Sequence, residues 1–504
     1  MLESIADVKS VLDDERAQRS AFAREVRLGV INSQLLEADE FVRSLLEREP
    51  GDQEAWLVSA ELASRLGYWE TAIARWSEVL TKFSDQQDLA HHGLAVAYRH
   101  IGSYARAWSA LGAIRPGGIS KSIVKEERER LRSDEDRRAG VVVARRALRG
   151  LTSGDATEGD RSALDAATHL LNLSACRAAC VRATFAFASD EPTPLEGTAS
   201  GTQAPTPESA PPPVFFCGFG WSGSGALFDY FRQGRHAVAP FGSAELLAFE
   251  RHTSARRLLR AFRKETDEAF RATLLEFIFY SVFGFGGAPT MSANAIRNQS
   301  FLAHLPDNRR TLAHLEHASK RLFATGLDAY RRRDRSAFEE ELQSFFQTIF
   351  ALATPAGSVP VTNNCITAAN IDTLRLVGRS TAVVVLRDPR DQYVAQRYEF
   401  RNRDRLSVDR FIRKARSRHE RFERRVTSLA PVRVHRIRFE DFVLSSRERT
   451  ALGENIGIPA TSVPVSARYH PTHSLHNVGI HRTYAEQSEI RKIEDELGDL
   501  LFTP

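Results

Sequence analysis

The sequence predicts a multidomain chain: an all-α solenoid over residues 1–187, then an α/β domain with a parallel sheet in three layers over 214–504. Three observations carry this reading. Small and large apolar residues recur at a spacing of 34–35 positions between Ala38 and Ile114. Residues 188–213 are rich in Pro, Ser and Thr, with almost nothing to bury, as a linker requires. Beyond them, the runs beginning at Val214 and Thr381 are apolar and charge-free, and each breaks into a turn that opens a helix, the pattern of buried parallel strands.

Length and composition set the outer frame. At 504 residues the chain is long enough for more than one core, and 42% hydrophobic with 26% charged residues is ordinary for a globular protein. The net charge of +5 suits an anionic small molecule or acidic glycan and is too small to argue for nucleic acid. Four cysteines (Cys176, Cys180, Cys217, Cys365) lack the paired spacing of a metal site and fit a reducing compartment. The first residues lack the basic patch and apolar core of a secretion signal. The most apolar stretch, Leu274 to Ala288, is broken by Glu276 and glycines and is too short to span a bilayer. A cytoplasmic protein with no transmembrane segment is expected.

In the first domain, Trp56, Ala60, Ala63, Gly67, Trp69, Ala72 and Trp76 alternate bulk with small residues as paired helices in contact require. Gly102 and Ala107 repeat Gly67 and Ala72 at +35, and Ala38 precedes Ala72 by 34. The register resembles tetratricopeptide repeats, about three of them over residues 20–116, with residues 120–187 adding further helical hairpins. That resemblance implies a protein or peptide partner, or self-association, on the repeat surface.

The α/β domain opens with Val214–Gly218 feeding Phe219-Gly-Trp-Ser-Gly-Ser-Gly-Ala226 and an amphipathic helix. A strand, a glycine-rich turn and a helix N-terminus bring several backbone N–H groups onto an anion, with the helix dipole assisting. Gly220, Trp221, Ser222, Gly223, Ser224, Gly225 and Ala226 are the candidate cofactor-binding residues. The loop lacks the Gly-Lys-Ser/Thr ending of nucleoside triphosphatases, which argues against magnesium-dependent ATP chemistry. In the second motif, strand Thr381–Leu386 ends in Arg387-Asp-Pro-Arg-Asp391: Asp388 can cap the next helix, Pro389 suits its first turn, and Arg387 sits at the strand's carboxyl end.

Together these motifs resemble the sulfotransferases that use 3′-phosphoadenosine-5′-phosphosulfate (PAPS), a P-loop-like fold. Val432–Phe442, with its Phe-Glu-Asp-Phe turn, and Ser474–Arg482, followed by a last helix, resemble the family's late strand and cofactor-covering tail. The resemblance implies that the loop grips the phosphosulfate and Arg387 contacts the 3′-phosphate, with no metal. It also implies a carboxylate base twenty-odd residues past the loop, where Glu245 lies 24 residues beyond Trp221. Ser243 and Glu245 equally fit a capped helix start, and Glu250 is a second carboxylate nearby.

Two positions depart from the family pattern. Trp221 stands where relatives carry Arg or Lys, and Ala395 where they carry a serine for the 3′-phosphate. Each lost charge-assisted contact costs on the order of 1.5–3 kcal/mol. Arg235, Arg397, His481 and Arg482 are the candidate replacement cations; His481 is also a candidate catalytic group and Arg482 a candidate cofactor contact.

The remaining features read more plainly. His314 and His317 are expected at the surface of a helix. The arginines between Arg397 and Arg425 are either a solvated helix face or an electrostatic collar for an anionic ligand. Asn363 and Asn364 end a strand and either position an acceptor or form a turn. The expected activity is transfer of a sulfuryl group from PAPS to a hydroxyl of a carbohydrate acceptor. The alternative is an inactive protein of the same fold whose helical repeats bind a partner.

Overall fold

The computed structural model describes residues 32–66, 68–153, 156–189, 211–242, 247–250, 254–285, 300–398, 407–427, 429–463 and 471–502. The described residues divide into two compact units, one up to Arg138 and one from Ala139 onward.

The first unit is helical. Its helices Asn32–Arg48, Gln53–Arg65, Trp69–Lys82, Gln87–His100 and Tyr104–Ala113 are followed by the start of the helix Lys121–Ser153. Asp52 caps the second, accepting from the Glu54 and Ala55 amides at 2.9 and 3.1 Å. The recurring alanines Ala38, Ala72 and Ala107 are all buried. Gly93 lies so close to Trp76 that a Cβ there would fall 2.3 Å from its ring, so helix contact depends on the missing side chain. A three-membered ionic group is buried in this unit: Arg99 donates to Glu127 at 2.6 Å and to Asp134 at 3.0 Å, and all three side chains are under 10% exposed.

The second unit holds a parallel sheet of five strands: β1 (Val214–Gly218), β2 (Ala237–Val238), β3 (Val359–Asn363), β4 (Thr381–Leu386) and β5 (Arg433–Arg438). Their order is β2-β3-β1-β4-β5, with Val214 opposite Val361 on one side and Thr381 on the other. Both faces are covered, as a parallel sheet demands. Alternation along β1 sends Phe215 and Cys217 into one core and Val214 and Phe216 into another. The first core is phenylalanine-rich, built with the helices Ala255–Lys264, Asp267–Glu276, Arg309–Arg331 and Arg335–Ala353. The second packs the helices Ser224–Phe231 and Phe439–Leu444.

Packing groups the chain differently from composition. The sequence assigned residues up to 187 to the repeats, whereas the compact unit with the sheet begins at Ala139. Ala144, Leu148, Leu164 and Phe185 share the core of Phe215, and Arg271 donates to the Leu151 and Ala188 carbonyls at 2.8 and 2.9 Å. Their apolar faces complete the phenylalanine-rich layer. The linker, apart from its ends, lies outside the described residues.

Among the described residues no helix is long and apolar enough to cross a membrane. The apolar stretch from Leu274 instead continues a helix into one wide turn, Phe277–Val282, whose Phe277, Ile278 and Phe279 are fully buried. His314, expected at the surface, is buried because its helix packs against the helices Ala175–Ser189 and Arg335–Ala353, and its Nε2 has no partner among the described residues. Burial pushes its imidazole pKa down, and Arg310 adds to the effect.

Candidate functional site

The glycine-rich turn sits where β1 ends, between β3 and β4, and the helix Ser224–Phe231 leaves from it. Three residues of the turn have left-handed backbone: Gly220 (φ 86°), Trp221 (φ 54°) and Gly223 (φ 87°). Glycine adopts this freely, whereas a tryptophan there carries about 1–2 kcal/mol of strain. Gly223 is doubly required, because a Cβ would fall 2.2 Å from the Phe439 ring.

The hydrogen bonds of the turn are lopsided. Its carbonyls are taken by side chains from distant elements: Phe219 O by Arg418, Gly220 O by Gln392, and Trp221 O by Arg387 at 3.0 Å. The Phe219 amide donates to Ser222 Oγ at 3.2 Å, and the Ala226 amide to Gly223 O at 3.0 Å. Between them, the amides of Gly220, Trp221, Ser222, Gly223, Ser224 and Gly225 find no acceptor among the described residues. A run of unpaired amides at a helix start, with the carbonyls tied back, is the chemistry of an anion cradle. Ser222 and Ser224 are buried, and Ser224 donates to Asn364 Oδ1 at 2.8 Å. Asn364, itself left-handed at φ 46°, thus belongs to the turn after β3 and braces the glycine-rich loop.

Arg387 is 7% exposed and bridges two segments, donating to Trp221 O and, at 2.7 Å, to Asn477 O. Its guanidinium lies 5.0 Å above the Phe439 ring, and its Nε has no partner among the described residues. Burial pulls its pKa down, opposed by Asp391, Glu440 and Asp388. The second motif fastens the C-terminal tail. Asp388 pairs with Arg390 and accepts from the Phe502 amide at 3.1 Å, while Arg390 reaches Glu494 at 2.7 Å. Glu440, in the Phe-Glu-Asp-Phe turn, accepts from the Asp388 amide at 2.9 Å.

Asp391 is buried and takes the amides of Gly479 and His481, at 2.6 and 3.1 Å, together with His481 Nδ1. Burial pushes the Asp391 carboxyl up, but these hydrogen bonds outweigh it and hold the group below its ordinary value. A carboxylate that fixes Nδ1 orients the imidazole and leaves Nε2 as its free working nitrogen.

Of the residues singled out from sequence, Arg387 joins the loop to Asn477 of the tail, and His481, four residues further along that tail, is held by Asp391. Arg482 is exposed beside Gly479, and Arg235 is exposed. Ala395 is half-buried, and Arg397 is engaged with Tyr484. Glu245 lies outside the described residues. Glu250 is committed elsewhere, accepting from the Thr367 amide at 2.7 Å. Burial raises its pKa, with the Thr367 bonds opposing.

Arg418 belongs to the basic run read from the sequence, but sequence reasoning did not separate it from the other arginines as the one that reaches the loop, at Phe219 O. It lies in the basic helix Val408–Val426, whose Phe411, Ile412, Ala415 and Phe422 form the buried face. That apolar stripe is the signal that could have separated Arg418 from the solvated arginines, since it sits three residues after Ala415 and four before Phe422. Next to it, His419 stacks on Phe219 at 4.1 Å between ring centroids. Burial pushes the His419 imidazole down to about 4. The folded form therefore holds it neutral, and unfolding takes up a proton below the free-histidine pKa of about 6.5. Stability is fully present above that value and falls as pH drops towards 4. Denaturant melts of wild type and His419→Phe between pH 7 and 4.5 are expected to show a shallower pH slope in the variant; equal slopes would refute this.

No protein-family model, curated protein or solved structure matches this chain.

Proposed function

We propose that the chain is a PAPS-dependent sulfotransferase acting on a hydroxyl of a glycan or glycolipid precursor in the cytoplasm. The observation that carries this reading is the run of amides from Gly220 to Gly225 without an acceptor among the described residues, framed by Arg418, Gln392 and Arg387 on the carbonyl side. Such a cradle suits the phosphosulfate, and fixed donors of this kind stabilise charge building on a leaving phosphate oxygen.

In the proposed reaction the acceptor oxygen attacks sulfur in line, and the bond from sulfur to the 5′-phosphate oxygen breaks. The products are a sulfate ester and adenosine 3′,5′-bisphosphate. The acceptor proton goes to a base: His481, oriented by Asp391, is one candidate, and Glu245 is the one the family resemblance implies. The cation that relatives place at position 221 is replaced in this reading by Arg418 and Arg387, which meet the loop through its carbonyls. No metal takes part in this scheme.

A second reading follows from Trp221, which is 40% exposed and strained at the position of the missing cation. It makes the α/β unit a nucleotide-binding scaffold without turnover and gives the working role to the helical repeats. Calorimetric titration with adenosine 3′,5′-bisphosphate, with adenosine 5′-monophosphate and ATP as controls, is the first test. Micromolar binding that depends on the 3′-phosphate is expected, followed by sulfate transfer from labelled PAPS to a sugar hydroxyl. Binding without transfer to any acceptor would favour the scaffold; equal binding of ATP, or none of the nucleotide, would overturn the sulfotransferase reading.

A further inference from the structure

A strongly basic cleft lies in the helical layer of the sheet-containing unit. The cleft, of about 390 Å³, is lined by Arg256, Arg260, Arg263, Lys264, Arg335 and Arg375, with Glu339 and Asp372 as its acidic lining among the described residues. It shares no lining residue with the glycine-rich loop, Arg387 or the tail. The sequence dictates half of it. In the helix Ala255–Lys264, the residues Ala255, Leu258, Ala261 and Phe262 are buried, which leaves Arg256, Arg260, Arg263 and Lys264 on one opposing stripe. The other half is tertiary. The start of the helix Arg335–Ala353 contributes Arg335, and the 3₁₀ segment Ala368–Leu376 contributes Arg375.

The two carboxylates are already engaged. Glu339 pairs with Arg335 at 2.5 Å and lies 3.8 Å from Arg375, while Asp372 accepts from Arg256 at 3.0 Å. Arg260, Arg263 and Lys264 are exposed and have no anionic partner among the described residues. Cations converging on a concave surface raise its potential and repel one another, so a bound anion gains what the empty cleft loses. The volume falls in the range of small-ligand sites. Leu259 and Leu376 are the apolar lining and no aromatic residue faces the cleft among the described residues, so these residues offer no platform for a stacked base or sugar ring. Guanidinium forks match tetrahedral oxyanions, and three cations without partners call for more than one of them.

The geometry points to a binding site for a compact ligand that carries two or more phosphoryl or sulfuryl groups. The site is independent of the nucleotide reading. The test is calorimetry of the full chain with inorganic tripolyphosphate and with sucrose octasulfate, against inorganic phosphate, in wild type and Arg260→Gln/Arg263→Gln. Adenosine 3′,5′-bisphosphate is added as a competitor to separate this site from the loop. At least one multivalent probe is expected to bind tenfold or more tightly than phosphate, to weaken at least tenfold in the double variant, and to resist the nucleotide. Which probe binds tells phosphoryl from sulfuryl chemistry. Arg260→Lys/Arg263→Lys, which keeps both charges, should retain most of the affinity. The inference is overturned if neither probe binds, if the glutamine variant binds as wild type does while folded by circular dichroism, or if phosphate binds as well as the multivalent probes.

Discussion

Gly223→Ala is expected to destabilise the sheet-containing unit by about 2–5 kcal/mol and to abolish adenosine 3′,5′-bisphosphate binding. Two costs act at one atom. The backbone at φ 87° disfavours any L side chain, and the new Cβ would press into the Phe439 ring at 2.2 Å. Phe439 has little room to yield, since Arg387 lies over its ring. Relief therefore requires the loop to move, which would also break the bond from Arg387 to Trp221 O. Gly225→Ala is the matched control: its Cβ meets nothing within 4 Å, and it lies in the first turn of a helix. There alanine is expected to be neutral or to stabilise by up to about 1 kcal/mol. Denaturant midpoints of the two variants check the pair, and equal midpoints would contradict the steric argument.

Arg99→Met is expected to destabilise the first unit by about 3–5 kcal/mol, because it takes from the buried Glu127 and Asp134 the guanidinium they share and leaves each only a more distant arginine, Arg130 at 3.7 Å and Arg137 at 3.8 Å. The cost comes from the stranded carboxylates and not from lost packing. Adding Glu127→Gln and Asp134→Asn to the same variant should therefore recover much of it. Tryptophan fluorescence reads this unit selectively, since Trp56, Trp69, Trp76 and Trp108 lie in it and only Trp221 lies outside. A midpoint unchanged in Arg99→Met would show that the ionic group contributes nothing net.

Legibility in the sequence followed the range of the interactions. Period-2 and period-3.6 patterns are local, so β1, β4 and the helices around them were readable, as was a glycine-rich turn at the end of β1; that 220 and 223 are the left-handed glycines of that turn was not. The small residues at 38, 72 and 107 were readable because their spacing repeats. The membership of residues 139–187 was not. An amphipathic helix announces that it has a buried face but not which layer will cover it, and here the phenylalanine-rich side of the sheet does so.

By itself, then, the sequence determined a helical N-terminal region, a parallel α/β sheet and a glycine-rich turn at a strand end. What surrounds that turn was decided only in three dimensions. Arg418 reaches Phe219 O across 199 residues, Asn364 meets Ser224 across 140, and Asp391 holds His481 across 90. The basic cleft likewise needs three separated segments to converge. In a parallel sheet each strand returns through a crossover connection, so residues far apart in the chain arrive at the same sheet end. Which side chains meet there depends on strand order and on which helix covers which face, and no local pattern encodes either.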